Sequence, residues 1–222
     1  MSLPHVIQPS IIIGDLRIDE PVTTLTDILV TLVCFYAYRK LSKDKKEKRS
    51  AFYFKYFFLM MGFSTLLGGL LGHAFQYYFG FVWKTPGWVT GMCSVAFIER
   101  GAIMQARGLM KPKLSHFFAV LNIVELVIFL FIALYSLNFF FVEIHASYGL
   151  LEVFLFQLYV NHKIHDKGSK IIMLGVIVST LAALTHMSRI PLFTWFNYTD
   201  LSHVLMACGA YVFYLGMRKT AH

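Results

Sequence analysis

Seven long, predominantly apolar stretches follow one another with little chain between them, and this pattern restricts the possible folds more than any other feature. They cover residues 22–37, 53–79, 86–106, 116–137, 139–160, 171–186 and 199–217. A helix rising 1.5 Å per residue needs about 20 residues to cross a hydrocarbon core about 30 Å thick. A soluble domain would break the same apolar content into amphipathic stripes. Only 14% of the 222 residues are charged and 57% are hydrophobic, whereas soluble chains carry roughly a quarter charged residues. The expected fold is therefore all-α: a polytopic membrane protein whose seven-helix transmembrane domain spans 22–217, preceded by an extracytoplasmic segment 1–21 and followed by a short cytoplasmic tail 218–222.

The net charge of +8 does not point to nucleic acid, because the basic residues sit in short loops rather than along an amphipathic face. The loop 39–49, RKLSKDKKEKR, holds seven basic and two acidic residues. Loops on the same side carry Arg107, Lys111 and Lys113, then Lys163, Lys167 and Lys170, then Arg218 and Lys219, while the opposite loops hold Lys84 and Arg189. Positive residues mark the cytoplasmic side, so the N-terminus is expected outside and the C-terminus inside. Tyr77, Tyr78, Trp83, Trp88, Trp195 and Tyr198 suit an outer interfacial belt, and Tyr36, Tyr38, Tyr53 and Tyr56 an inner one.

Cys34, Cys93 and Cys208 lie in apolar segments without disulfide or CxxC spacing, and read as small packing residues. The first twenty residues lack a basic start leading into a long apolar core, so the first span is expected to do the targeting. The expected location is the cytoplasmic (inner) membrane of a bacterium.

Ionisable residues within a span are costly in lipid and normally face the bundle interior. Sorted by depth, they fall into two layers. The outer layer holds Asp27, His73, His145, His186, Asp200 and His203; the inner or middle layer holds Glu99, Arg100, Asn122, Glu125 and Glu152. Asp200 and His203 are three residues apart and share a helical face; Asp200 and Asp27 also read as N-caps. His73 follows Ser64, Gly68 and Gly72 at four-residue spacing, which lets a neighbouring helix approach closely. His73 and His203 with one further histidine supply the nitrogens of a catalytic Zn²⁺, and Asp27 or Asp200 the proton acceptor. Glu99, Arg100, Asn122, Glu125 and Glu152 read as an internal ion-pair network. His162 and His165 sit in a lysine-bearing loop that reads as solvated.

Seven spans, a histidine in the second and Asp-x-x-His opening the seventh resemble the seven-helix membrane hydrolase superfamily of alkaline ceramidases and adiponectin receptors. That resemblance implies a Zn²⁺ held by one early histidine and two histidines four apart in the last span, with a nearby serine and aspartate. His73 and His203 match; Ala207 stands where the second late histidine is expected, and Gly69 stands four residues before His73. His186, at the outer end of the sixth span, is the substitute ligand this reading requires. The chain also resembles small bacterial seven-helix membrane proteins with TD before the first span and DxxH opening the last.

The function expected on these grounds is zinc-dependent intramembrane hydrolysis of a lipid amide or ester near the outer face, with membrane lipids as surroundings and as substrate. Two alternatives remain: a transporter or channel for an ion or small solute lined by the Glu/Arg layer, and a non-enzymatic sensor or assembly subunit. The last span has no lysine before Lys219, which excludes a retinal Schiff base there.

Overall fold

The structure, a computed structural model, describes residues 8–43, 49–190 and 192–220. Parts of three segments read above therefore lie outside the described residues: 1–7 of the N-terminal segment, 44–48 of the basic loop and 221–222 of the tail.

Each of the seven apolar stretches is helical. The long helices are α1 (Pro21–Leu41), α2 (Arg49–Leu67), α4 (Thr85–Ala106), α5 (Pro112–Ser136), α6 (Phe140–Ile164), α7 (Lys167–Ser188) and α8 (Tyr198–Thr220), and α3 (Gln76–Phe79) is a single turn between α2 and α4. Proline opens α1 and α5 at the first turn, where its missing N–H has no partner to lose. Helices α5, α6 and α7 stop at Leu137, His165 and Arg189, all left-handed with φ near 50°, a stop signal that ordinarily takes glycine. Among the described residues, six helices are long and apolar enough to cross a membrane. The seventh, α4, falls short because Glu99, Arg100 and Gln105 interrupt it, yet its Glu99, Ala102, Ile103 and Ala106 are fully buried.

Six helices close a ring in the order α1, α2, α4, α6, α7, α8 and back to α1, and α5 leans on its outside against α4 and α6. Helix α5 accordingly exposes a large apolar face: Phe117, Val120, Ile123, Val127, Ile128 and Phe131. An apolar face of this kind is matched to hydrocarbon rather than water. The tightest seam joins α7 to α8. A Cβ added to Gly168 would run into Thr220, and one added to Gly175 would meet Phe213, so glycine lets these backbones come together. The core holds Val30, Cys34, Phe54, Phe58, Ile98, Ala102, Val153, Ile172 and Phe213.

The two ends of the bundle differ in character. One end gathers the basic residues: the end of α4 meets the α6–α7 turn where Gln105 Nε2 donates to Asp166 Oδ2 (3.4 Å) and Ser169 Oγ (3.2 Å), and Tyr159 donates to the Leu109 carbonyl. The other end carries an element the sequence reading did not foresee, an antiparallel hairpin of β1 (Ile11–Ile13) and β2 (Leu16–Ile18). Gly14, at φ +62°, makes its tight turn. The hairpin is tied down by Asp19 N donating to Ala74 O (3.0 Å) and by Tyr77 Oη donating to Arg17 O (3.1 Å). Of the expected outer aromatic belt, Tyr77, Tyr78, Trp83 and Trp195 are exposed; Trp88 instead is buried against Phe81 and Phe139. Cys34 packs in the core, whereas Cys208 is exposed.

Candidate functional site

The outer cluster is assembled by a local irregularity in the second apolar stretch. Helix α2 widens into a π segment, Gly68–Ala74, whose closing bond runs from Phe75 N to Leu70 O (3.0 Å). Such segments recur at functional sites because they re-aim side chains. This one is glycine-rich because α1 lies against it: a Cβ on Gly69 would sit 2.9 Å from the Asp27 Cβ. The widened turn points His73 at α1, and α8 brings His203 to the same place; their ring centroids are 6.3 Å apart.

Hydrogen bonding assigns both imidazole tautomers. His73 Nδ1 is 2.7 Å from Glu20 Oε2; a carboxylate only accepts, so Nδ1 carries the proton. His203 Nδ1 is 3.1 Å from Thr26 Oγ1, whose own hydrogen goes to the Thr23 carbonyl (2.9 Å), so His203 Nδ1 also donates. Both Nε2 lone pairs are thereby left bare. They face one carboxylate: His73 Nε2 is 3.9 Å from Asp27 Oδ2, and His203 Nε2 is 3.6 Å from Asp27 Oδ1. Asp27 is buried, and its Oδ2 has no hydrogen-bond partner. Asp27 lies within α1 rather than at its N-cap, and among the described residues no lysine or arginine nitrogen comes within 4 Å of its carboxylate, whose close ionisable neighbours are His73 and His203.

Asp200 has a different task. Its Oδ2 accepts from Gln8 Nε2 and Asn197 N (both 2.6 Å), and its Oδ1 accepts from Thr23 Oγ1 (2.8 Å). Asn197 Oδ1 in turn accepts from Asp200 N (3.2 Å), a reciprocal capping arrangement. Gln8 Oε1 accepts from Val22 N (3.1 Å). Asp200 and Gln8 thus staple the starts of α1 and α8 to the N-terminal segment that covers the cluster. His186 is directed elsewhere: its Nδ1 is 2.9 Å from Glu143 Oε1 on α6, and its ring lies between Phe139 and Tyr198. Below His186 and His203 opens a mainly apolar cavity of about 240 Å³ that Phe57, Met61, Ile98, Leu150 and Phe213 help to line.

Two charged residues outside the apolar stretches complete the outer cluster. Burial would raise the Glu20 carboxyl, but the hydrogen bond donated by His73 and the positive charge of Lys84 outweigh it and hold the group below the ordinary carboxylate range. Lys84 is pulled the other way: burial lowers its ammonium below the usual lysine value against the opposing pull of Glu20 and Asp27.

The inner layer is joined by one residue that depth alone had assigned to the outer one. Asn122 Nδ2 donates to Glu99 Oε2 (2.7 Å), and Arg100 Nε donates to Asn122 Oδ1 (3.0 Å); Arg100 also donates to the Ala119 carbonyl. Arg100 therefore reaches Glu99 through Asn122. On α6, His145 Nε2 lies 3.4 Å from Glu125 Oε2, and Tyr148 donates to Glu152 Oε1 (2.7 Å). Among the described residues, Glu99, Glu125 and His145 are the group of three whose donor atoms all lie within 4.8 Å of one another. The three donors at Asp27, His73 and His203 are not drawn together so tightly.

Sequence comparison places the chain in a family: it belongs to a family of unknown function (DUF6962), whose profile matches residues 22–222. No curated protein and no solved structure matches it.

Proposed function

We propose, from the site itself because the family carries no assigned activity, that the outer cluster is the catalytic centre of a zinc-dependent hydrolase of a lipid amide or ester. One observation carries the reading: two imidazoles, each with Nδ1 anchored, turn bare Nε2 lone pairs toward a single buried carboxylate that has an unpartnered oxygen. Three electron-rich groups facing one another repel unless a cation lies among them. Separations of 3.6 and 3.9 Å approach the distance between neighbouring donors around tetrahedral zinc, about 3.3 Å for bonds of about 2.0 Å. A zinc ion there would be held by His73, His203 and Asp27, which would have to draw closer around it, with Glu20 and Thr26 holding the imidazoles in the required tautomer.

When bound, Zn²⁺ supplies Lewis acidity, polarising the scissile carbonyl and acidifying water. The chain's own residues do the rest. The free oxygen of Asp27 takes the proton of the attacking water and returns it to the departing amine or alkoxide as the carbonyl–heteroatom bond breaks. Lys84, a half-buried cation beside Glu20 and Asp27, offsets negative charge growing on the carbonyl oxygen. Asp200 and Gln8 position the first turns of α1 and α8 and keep bulk water away. The apolar cavity under His203 and His186 accepts the alkyl chain, which makes a lipid the fitting substrate.

In this reading all seven long helices cross the cytoplasmic membrane, with the hairpin outside and the basic end inside. Helix α4 crosses despite its charges because they are enclosed by its neighbours. The test is acyl-chain release from ceramide-type amides and phospholipid esters by the purified, zinc-supplemented protein. Release should fall at least about a hundredfold in Asp27→Asn and His203→Gln. Release that is undetectable in the parent protein, or undiminished in both variants, would remove the hydrolase reading.

A further inference from the structure

We infer that Glu99, Glu125 and His145 form a second metal site, separate from the outer cluster, that binds one divalent first-row transition-metal cation within the bundle. Most polar side-chain atoms of these three residues are left unsatisfied by the protein. Glu99 Oε1, both oxygens of Glu125 and both ring nitrogens of His145 are buried and without a hydrogen-bond partner, although Glu99 and His145 are 0% exposed. Native proteins leave few such groups unsatisfied, and each calls for an explanation. A cation at their centre would take one nitrogen of His145 and carboxylate oxygens of Glu99 and Glu125, which come from three different helices.

The same groups converge. Donor atoms of the three residues lie within 4.8 Å of one another, and they come from α4, α5 and α6, none of which contributes to the outer donor set. Facing helices of a bundle commonly build metal sites in this way, from inward carboxylates and imidazoles. Space is provided deliberately: Gly149, on α6 between His145 and Glu152, has no Cβ, and one placed there would collide with Glu99 Oε1 and Val95. The Glu99 carboxylate occupies the room that the missing side chain leaves.

Charge balance points to a cation as well. Among the described residues the cation nearest in the network is Arg100, which touches Asn122 and a carbonyl rather than a carboxylate. Two ionised carboxylates in a fully enclosed site are strongly unfavourable without a counter-charge, and a divalent cation supplies it. One imidazole with two carboxylates suits zinc, manganese, iron(II) or cobalt(II) better than magnesium or calcium, which prefer all-oxygen sites. Glu152, held by Tyr148, lies two turns beyond His145 on the same face of α6.

Cobalt(II) is the probe, titrated into the chelator-stripped full-length protein in detergent. The background is His73→Ala/His203→Ala, which removes the outer imidazoles. One equivalent should bind and give the visible d–d absorption of protein-held cobalt, and Glu125→Gln in that background should weaken it at least about tenfold. His145→Cys should add a sulfur-to-cobalt charge-transfer band, a gained signal that unfolding does not produce. Gel filtration and far-ultraviolet circular dichroism confirm that each variant is folded. Absence of bound cobalt in the folded background protein, or a spectrum indifferent to both Glu125→Gln and His145→Cys, would overturn the site and leave the two carboxyls sharing a proton.

Discussion

Individual side chains decide whether this bundle is more than packing. Gly149 is the sharpest case: a methyl group there meets Glu99 and Val95, so Gly149→Ala should lower stability by about 1–3 kcal/mol as an overpacked core does. Thermal unfolding in detergent measures it, and an unchanged midpoint would mean that α4 and α6 are not this close. Glu20 makes a pH-dependent prediction. Its carboxyl is held below the ordinary range, so its contribution is complete above the unfolded carboxylate value of about 4.3 and is lost as pH falls through the lower folded value. The difference in thermal midpoint between the parent and Glu20→Gln should therefore be largest near neutrality and shrink in acid. A difference that stays flat with pH would exclude the His73–Glu20 clamp. Asp27, His73 and His203 were readable from sequence because an ionisable residue in an apolar run has little other reason to be there. Gln8, Glu20 and Lys84 were not readable, since they reach the cluster from loops whose folding is tertiary. His145 was misassigned by depth; its spacing from Gly149 and Glu152, four and then three residues, already put all three on one helical face.

At the level of elements, hydropathy located every long helix but misjudged two features. The second stretch was expected as one regular span, yet its last turns form a π segment because Gly68, Gly69 and Gly72 permit the wider winding and α1 presses against it. The hairpin over the outer cluster was missed because three-residue strands carry almost no periodicity. Helix α4 is the instructive middle case: its polar residues lower its hydropathy, but neighbours on three sides enclose it. Helix α5 is its opposite, the most apolar of the six span candidates and the least enclosed. Val127 lies near its middle and is exposed, so Val127→Arg should oppose membrane insertion by about 2.5–3.5 kcal/mol. A fusion reporter of insertion efficiency reads this directly, and insertion equal to the parent's would place that face against protein instead of lipid.

The molecule as a whole is a ring of six helices with a seventh outside it, a basic end, a hairpin-covered end and two clusters of ionisable residues on different helices. The proposed orientation, hairpin outside and basic end inside, predicts that, in a chain whose native cysteines have been replaced, Asp15→Cys reacts with an impermeant maleimide on intact cells. Lys113→Cys should react only after permeabilisation, and the reverse pattern would invert the topology. The central claim is that the bare nitrogens of His73 and His203 and the carboxylate of Asp27 hold zinc at the outer end. A crystal of the zinc-loaded protein measured across the zinc absorption edge tests it most directly. An anomalous peak is expected about 2.0–2.2 Å from both Nε2 atoms and from an Asp27 oxygen. A zinc-loaded crystal with no peak there, and the imidazoles hydrogen-bonded directly to Asp27, would contradict it.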